Sequence, residues 1–312
     1  MKAARILKFG SPDTILTSDI DRPEAADDQV LVRVMAAGVG PWDALIREGK
    51  SVLPQPLPLT LGSDLSGVIE AVGPAVSGFQ VGDEVYGVTN KQFTGAYAEY
   101  ALAAAGMIAR KPGNLSFVQA ASAPVVAVTA WQMLFDYARL TAGQVVLVHG
   151  AAGNVGGYAV QLANSSGLHV IALSAGRDMD YVRSLGAETI VNYEDVKFEN
   201  VVSGVDAVMD TVGGETTERS FAVLKPGGIL VSVAVSSETP ISQEAAHHGV
   251  RAVSFLAEVT TARLNTITSL FESGKLLPQV GTVLSLDQAR SAHEMLAGAP
   301  HKRGKIVLQV AA

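Results

Sequence analysis

The segment from Val145 to Gly157, VVLVHGAAGNVGG, constrains the fold most strongly, because an apolar run passes directly into a glycine-rich turn that opens an amphipathic stretch. A buried strand, a tight turn and a helix start in that order place free backbone N–H groups at a point where a pyrophosphate can sit. Gly153 lets the backbone approach such a group, and Gly156 lets the helix pack closely on the strand. The G-x-G-x-x-G frame is not strictly met: Ala151 takes the first glycine position and Gly150 lies one residue earlier.

The second strand of such a unit reports on the ribose. An NAD site places an acid about 20 residues after the glycines, for the ribose 2'-hydroxyl. Here the apolar run His169–Leu173 leads instead into Ser174, Ala175, Gly176 and Arg177. A hydroxyl followed by a guanidinium suits a 2'-phosphate, since arginine offers a permanent charge and a planar fork of donors. The reading favours NADP(H), with NAD kept open by Asp178 and Asp180.

Hydropathy patterning divides the chain. Up to about residue 110, short β-rich runs (3–7, 29–34, 67–72, 84–86 and 96–100) alternate with Gly, Pro and Asp turns, as in a compact, mostly antiparallel barrel. From Phe117, helical and strand patterns alternate. A helix over 120–134 precedes strands at 145–148, 169–173, 190–191, 206–209, 228–233 and 252–256. Such alternation predicts a doubly wound parallel sheet. A helix over 261–273 and a closing strand over 304–310 return to the first pattern, so the expected domains are 1–120 completed by 260–312, and 121–259.

The chain has 312 residues, 48% hydrophobic and 17% charged, enough for two cores. A formal net charge of −7, without a lysine or arginine run, argues against a nucleic-acid surface. No apolar stretch has membrane-spanning length and no cationic-apolar leader is visible, so the expected location is the cytoplasm. The absence of cysteine removes disulfides, thiolate nucleophiles and cysteine-based zinc sites. The six histidines show no ligand spacing, and no G-x-S-x-G elbow occurs.

Several further segments carry a family likeness across nearly the whole chain. They are Ala37–Arg47 (AGVGPWDALIR), Leu61–Gly73 (LGSDLSGVIEAVG), Gly95–Tyr100 (GAYAEY), Asp210–Glu215 (DTVGGE), Leu224–Gly228 (LKPGG) and Arg303–Leu308 (RGKIVL), together with the run from Val145 to Tyr193. The chain resembles the zinc-free quinone oxidoreductase branch of the medium-chain dehydrogenase/reductase superfamily. The resemblance implies an α/β protein, a Rossmann doubly wound sheet plus a GroES-like β-barrel domain, with the active site in the cleft. Zinc-dependent relatives place a cysteine at the position of Gly40 and Gly-His-Glu at Gly62, Ser63 and Asp64, so no metal is expected here.

The resemblance further implies cofactor contacts at Thr129 beside the nicotinamide, at Gly153, Asn154, Val155 and Gly156 along the pyrophosphate, and at Ser174, Arg177 and Tyr193 toward the adenosine. Thr211, Val212, Val233, Ala234 and Val235 follow strands at their carboxyl ends, and Arg303, Gly304 and Lys305 approach from the other domain. On the substrate side, Gly40, Pro41, Trp42, Asp43, Phe93 and Tyr97 are the candidates, with Trp42 read either as a flat face for a quinone ring or as core. Many relatives carry asparagine at Gly40 and a tyrosine shortly after Lys50, where this chain has Ser51, Val52 and Leu53, so no side chain is assigned as proton donor. Asp43 and Arg47 are spaced for an i,i+4 pair. The expected activity is NADPH-dependent reduction of quinones or activated C=C bonds, the alternative an NADP-binding sensor with little turnover. The apolar edge strand near 252–256 and the family likeness together lead to the expectation of a homodimer.

Overall fold

The computed structural model describes residues 1–53, 55–234 and 241–311. They form two compact units, one of residues 1–125 and 259–312, the other of residues 126–258.

The central unit is a six-stranded parallel sheet. Its order is Thr189–Asn192, His169–Ser174, Val145–Val148, Val205–Asp210, Leu224–Ser232 and Arg251–Ser254. Short apolar runs form these strands because helices cover both faces of such a sheet, which leaves nearly every inner position buried. Leu147, Leu173, Val205, Val208, Phe221 and Leu230 share one core. The strand order reverses at Val145–Val148, which lies between His169–Ser174 and Val205–Asp210. Ligands of open parallel sheets bind beyond the carboxyl ends at such a reversal.

The predicted helix over 120–134 is three pieces: Phe117–Ala121, Pro124–Trp131 and a wider-wound turn Gln132–Tyr137. Pro124 ends the first piece, since a proline disfavours helical geometry in the residue before it and is well placed to begin a new helix. In the last piece the Ala138 N–H reaches back five residues to the Met133 carbonyl, 3.1 Å away.

The other unit is built on the long strand Gln29–Val39, which pairs antiparallel with Asp64–Val72, Tyr100–Ala104 and the C-terminal strand Lys305–Gln309. The pairing of Ile306 with Val39 is what returns the end of the chain to this unit. Ala4, Ile6, Val32, Leu65, Ile69, Val85 and Leu308 are among its core residues. The strand expected over 96–100 begins instead at Tyr100. Residues 96 and 97 bond to the backbone of Gly62 and Leu61, because Tyr97 turns inward: a Cβ on Gly62 would lie 2.0 Å from its ring.

Candidate functional site

The glycine turn is shaped by two close approaches. A Cβ on Gly156 would stand 2.1 Å from the Gly150 carbonyl oxygen, so the helix Asn154–Ser165 can seat on the turn only with glycine there. Gly150 has φ +62°, a conformation that disfavours side chains, and a Cβ on it would lie 2.4 Å from Thr211 Oγ1. The first intrahelical bond is Gly157 N–H to Gly153 O, 2.8 Å. The N–H groups of Asn154, Val155 and Gly156 therefore precede any intrahelical acceptor and can receive an anion. Gly153 itself is exposed.

At the next strand, Ser174 is 2% exposed and its Oγ has no hydrogen-bond partner in the protein, an orphaned polar atom at the carboxyl end of the sheet. Arg177 lies in the turn beyond it with 75% of its side chain exposed, 3.9 Å from both Asp178 Oδ2 and Glu194 Oε1. Tyr193 is 54% exposed and its N–H donates to the Ser174 carbonyl. Of the two acids that kept NAD open, Asp180 pairs with Arg183 at 2.7 Å. The acid beside Arg177 that sequence reasoning missed is Glu194, contributed by the neighbouring strand's end.

Asp210, fully buried, organises the following loop. One oxygen accepts from the N–H groups of Val212 and Gly213 at 3.0 and 2.9 Å, the other from Thr217 Oγ1 and Ser232 Oγ at 2.6 and 3.0 Å. Thr211 Oγ1 donates to the His149 carbonyl at 2.9 Å, which ties this loop to the glycine turn, while Val212 is 56% exposed. Val233 and Ala234 follow Ser232 half-buried; Val235 lies outside the described residues. Thr129 is 5% exposed on the helix Pro124–Trp131. The glycine turn, Ser174, Tyr193, Thr211 and Val233 thus all lie at one edge of the parallel sheet. His149 sits under the turn, 1% exposed, with Nε2 2.8 Å from Ser220 Oγ. Because Ser220 donates to the Thr216 carbonyl, His149 is the donor through Nε2. Burial holds it down to about pKa 4 and hence neutral.

In the other unit, Gly40 precedes the helix Pro41–Arg47, with Pro41 exposed and Trp42 half-buried. A Cβ on Gly40 would lie 2.4 Å from two atoms of the Trp42 ring, which fills the space a side chain at position 40 needs. The Trp42 Nε1–H donates to Ser63 Oγ at 3.0 Å, and Lys305 Nζ lies 4.0 Å from the ring centroid. Lys305 is 1% exposed and 3.0 Å from Asp64 Oδ2, while Asp64 Oδ1 accepts from the Val125 N–H. Lys305, expected to approach the cofactor from the other domain, is the partner of a buried carboxylate within its own unit; Arg303 is exposed and Gly304 half-buried.

Two more substrate-side expectations change. Asp43 does not pair with Arg47: its Oδ2 accepts from the Gly40 N–H at 2.8 Å and the Tyr97 hydroxyl at 2.9 Å. Arg47 is also buried, and donates to the Gly10 carbonyl at 2.9 Å and approaches His293 Nδ1 at 3.2 Å. Both Asp43 and Tyr97 are 0% exposed, so neither presents its polar group at a surface. Burial pushes the Asp43 carboxyl up to about 7, against the pull of the Gly40 N–H and the Lys305 charge. Phe93 packs partly buried against this core with φ +60°.

A doubly wound parallel sheet with a glycine turn at its reversal, in a chain that also carries a mostly antiparallel strand unit, is the arrangement of a two-domain dinucleotide-binding protein. Residues 26–113 match the alcohol dehydrogenase GroES-like domain and residues 185–308 match the zinc-binding dehydrogenase domain. Quinone oxidoreductase of Homo sapiens is 32% identical, over 99% of this chain and 97% of its own length. The chloroplastic NADPH-dependent alkenal/one oxidoreductase of Arabidopsis thaliana is 34% identical over 90% of this chain and 72% of its own. The structure of the quinone oxidoreductase from Coxiella burnetii superposes with a TM-score of 0.92 at 35% identity, covering 99% of both chains. The chain belongs to the zinc-free quinone oxidoreductase branch of the medium-chain dehydrogenase/reductase superfamily.

The zinc named in one domain description does not fit these residues. Positions 40, 63 and 64 hold glycine, a serine engaged by Trp42 and an aspartate engaged by Lys305. Among the described residues, no three His, Cys, Asp or Glu side chains are grouped to hold a metal ion. Nor is any helix among them long and apolar enough to cross a membrane.

Proposed function

We propose that the protein is an NADPH-dependent reductase of quinones or of the activated C=C bond of α,β-unsaturated carbonyls. The observation that carries this reading is the filling of the zinc-family metal position by Trp42, Ser63, Asp64 and Lys305. Without donors for a Lewis acid, nothing there polarises an alcohol or a saturated ketone, so acceptors must already be electrophilic. The cofactor, when bound, supplies hydride from nicotinamide C4. The protein's part is to hold it: the N–H groups of Asn154, Val155 and Gly156 on the pyrophosphate, Ser174 and Arg177 at the 2'-phosphate, and Thr129 toward the nicotinamide. The names of the human and Arabidopsis relatives support quinone and alkenal or enone acceptors respectively.

The proposal extends to assembly. Arg251–Ser254 is the last strand of the sheet, and an open edge of this kind can pair with a second copy across a two-fold axis. Light scattering at micromolar concentration is expected to give a dimer mass. The activity is tested by nicotinamide absorbance with NADPH, a panel of quinones, enones, saturated ketones and, in reverse, alcohols, with and without chelator. Chelator-insensitive turnover confined to quinones or enones is expected. Efficient alcohol oxidation would overturn the proposal, and NADPH binding without turnover on any acceptor would favour a binding protein.

A further inference from the structure

The acid beside Arg177 bears on which dinucleotide this site selects, an inference that rests on the cofactor reading above. Strand Thr189–Asn192 pairs in register with His169–Ser174, Ser174 opposite Asn192. Beyond Asn192 the chain folds over the end of its neighbour, so that Glu194 Oε2 accepts from the Gly176 N–H at 2.9 Å. The backbone at this point is held: the Glu194 N–H donates to Asn192 Oδ1 at 3.1 Å, and Asn192 Nδ2 donates to Asp195 Oδ2 at 2.6 Å. A Cβ on Gly176 would lie 3.0 Å from Asn192 Nδ2 and 3.6 Å from Glu194 Oε2, so the turn and the acid are already in contact. Glu194 Oε1 stands 3.9 Å from Arg177 Nη1, outside hydrogen-bond reach, and the carboxylate is 48% exposed.

An arginine and a glutamate of opposite preference therefore flank the ground just beyond the buried, unpartnered Ser174 Oγ. A 2'-phosphate is attracted by the guanidinium and repelled by the carboxylate. A ribose 2',3'-diol donates hydrogen bonds to a carboxylate and gains nothing from the guanidinium. We propose that Glu194 sets the cofactor preference: it accepts from the ribose hydroxyls of NAD(H) and opposes the 2'-phosphate of NADP(H), so that the protein binds both, with Arg177 and Glu194 in balance.

The test is Glu194→Gln, which keeps a carbonyl oxygen for the Gly176 N–H and removes only the charge. Titration calorimetry of NADPH and NADH against the variant and the parent gives Kd values without recourse to turnover. Removing one charge beside a phosphate dianion, with ionic screening, is expected to tighten NADPH about fivefold at moderate salt and less at about 1 M salt. NADH is expected to weaken about threefold, on the order of one hydrogen bond, with little salt dependence. Equal changes for the two cofactors, a loss of NADPH affinity, or no change in either would overturn the role of Glu194 while leaving the dinucleotide site in place. A parent protein that binds neither nucleotide would overturn both.

Discussion

Gly40→Ala tests whether Trp42 truly occupies the space above position 40. The backbone there is extended, φ −130° and ψ 164°, so alanine is conformationally acceptable and keeps the N–H that donates to Asp43. The nearest conflict is with the indole, whose Cη2 and Cζ2 would each lie 2.4 Å from the new methyl. Relief requires Trp42 to swing away, which breaks its hydrogen bond to Ser63 and withdraws its ring from Lys305. A hydrogen bond contributes about 0.5–1.5 kcal/mol net, and a cation over an aromatic face about 0.5–2 kcal/mol depending on desolvation. The expected loss is about 1–3.5 kcal/mol, on the unfolding transition of the strand unit that contains Trp42. In a Trp42→Ala background the same change should cost nothing, or stabilise by about 0.4–1 kcal/mol through the lower entropy of the unfolded chain. Urea denaturation of the four proteins of this double-mutant cycle, followed by circular dichroism, supplies the measurement. Equal destabilisation by Gly40→Ala in both backgrounds would refute the packing argument.

Arg177→Ala should weaken NADPH binding by about 1.5–3 kcal/mol, the range for hydrogen bonds to charged groups, and leave NADH nearly unchanged in fluorescence titration; equal losses would mean that Arg177 acts through folding. The two units should respond differently to pH. His149, held down to about 4, makes the sheet unit gain stability as pH rises from about 4 to 6.5, fully present above the unfolded histidine value and lost as pH falls through 4. In the other unit, Asp43, pushed up to about 7, contributes stability at low pH that is lost as pH rises from the ordinary value of 3.8 toward 7. His293, held down to about 3 by burial and then by Arg47, opposes that trend. Hydrogen exchange resolved by unit should show His149→Gln flattening the profile of residues 126–258 only, and Asp43→Asn raising stability between pH 5 and 7 relative to the parent only in the other unit; a common response throughout the chain would contradict this.

The parallel sheet was legible because both its faces are covered: runs such as Val145–Val148 and Val205–Asp210 carry their burial in their composition. The C-terminal return was legible from the patterning of residues 261–310 and is realised by the pairing of Ile306 with Val39. What escaped is tertiary. The i,i+4 pairing of Asp43 with Arg47 presumes a solvated helix face, whereas both side chains are buried and take partners from residues 10, 97 and 293. The buried partner of Lys305 was not legible because nothing local announces Asp64, 241 residues earlier in the chain. Glu194 was invisible beside Arg177 because parallel pairing, not sequence proximity, brings the two together. The helix break, by contrast, had a local signal in Pro124 that the apolar periodicity masked.

The most direct test of the proposed reaction follows the hydride. NADPH carrying deuterium at C4 of the nicotinamide, on each face in turn, is incubated with the protein and an enone, and the product is examined by mass spectrometry and NMR. Label from one face should appear at the electrophilic carbon β to the carbonyl, with an unlabelled proton at the α position. Turnover of the enone with deuterium from neither face in the product would contradict hydride transfer by this protein.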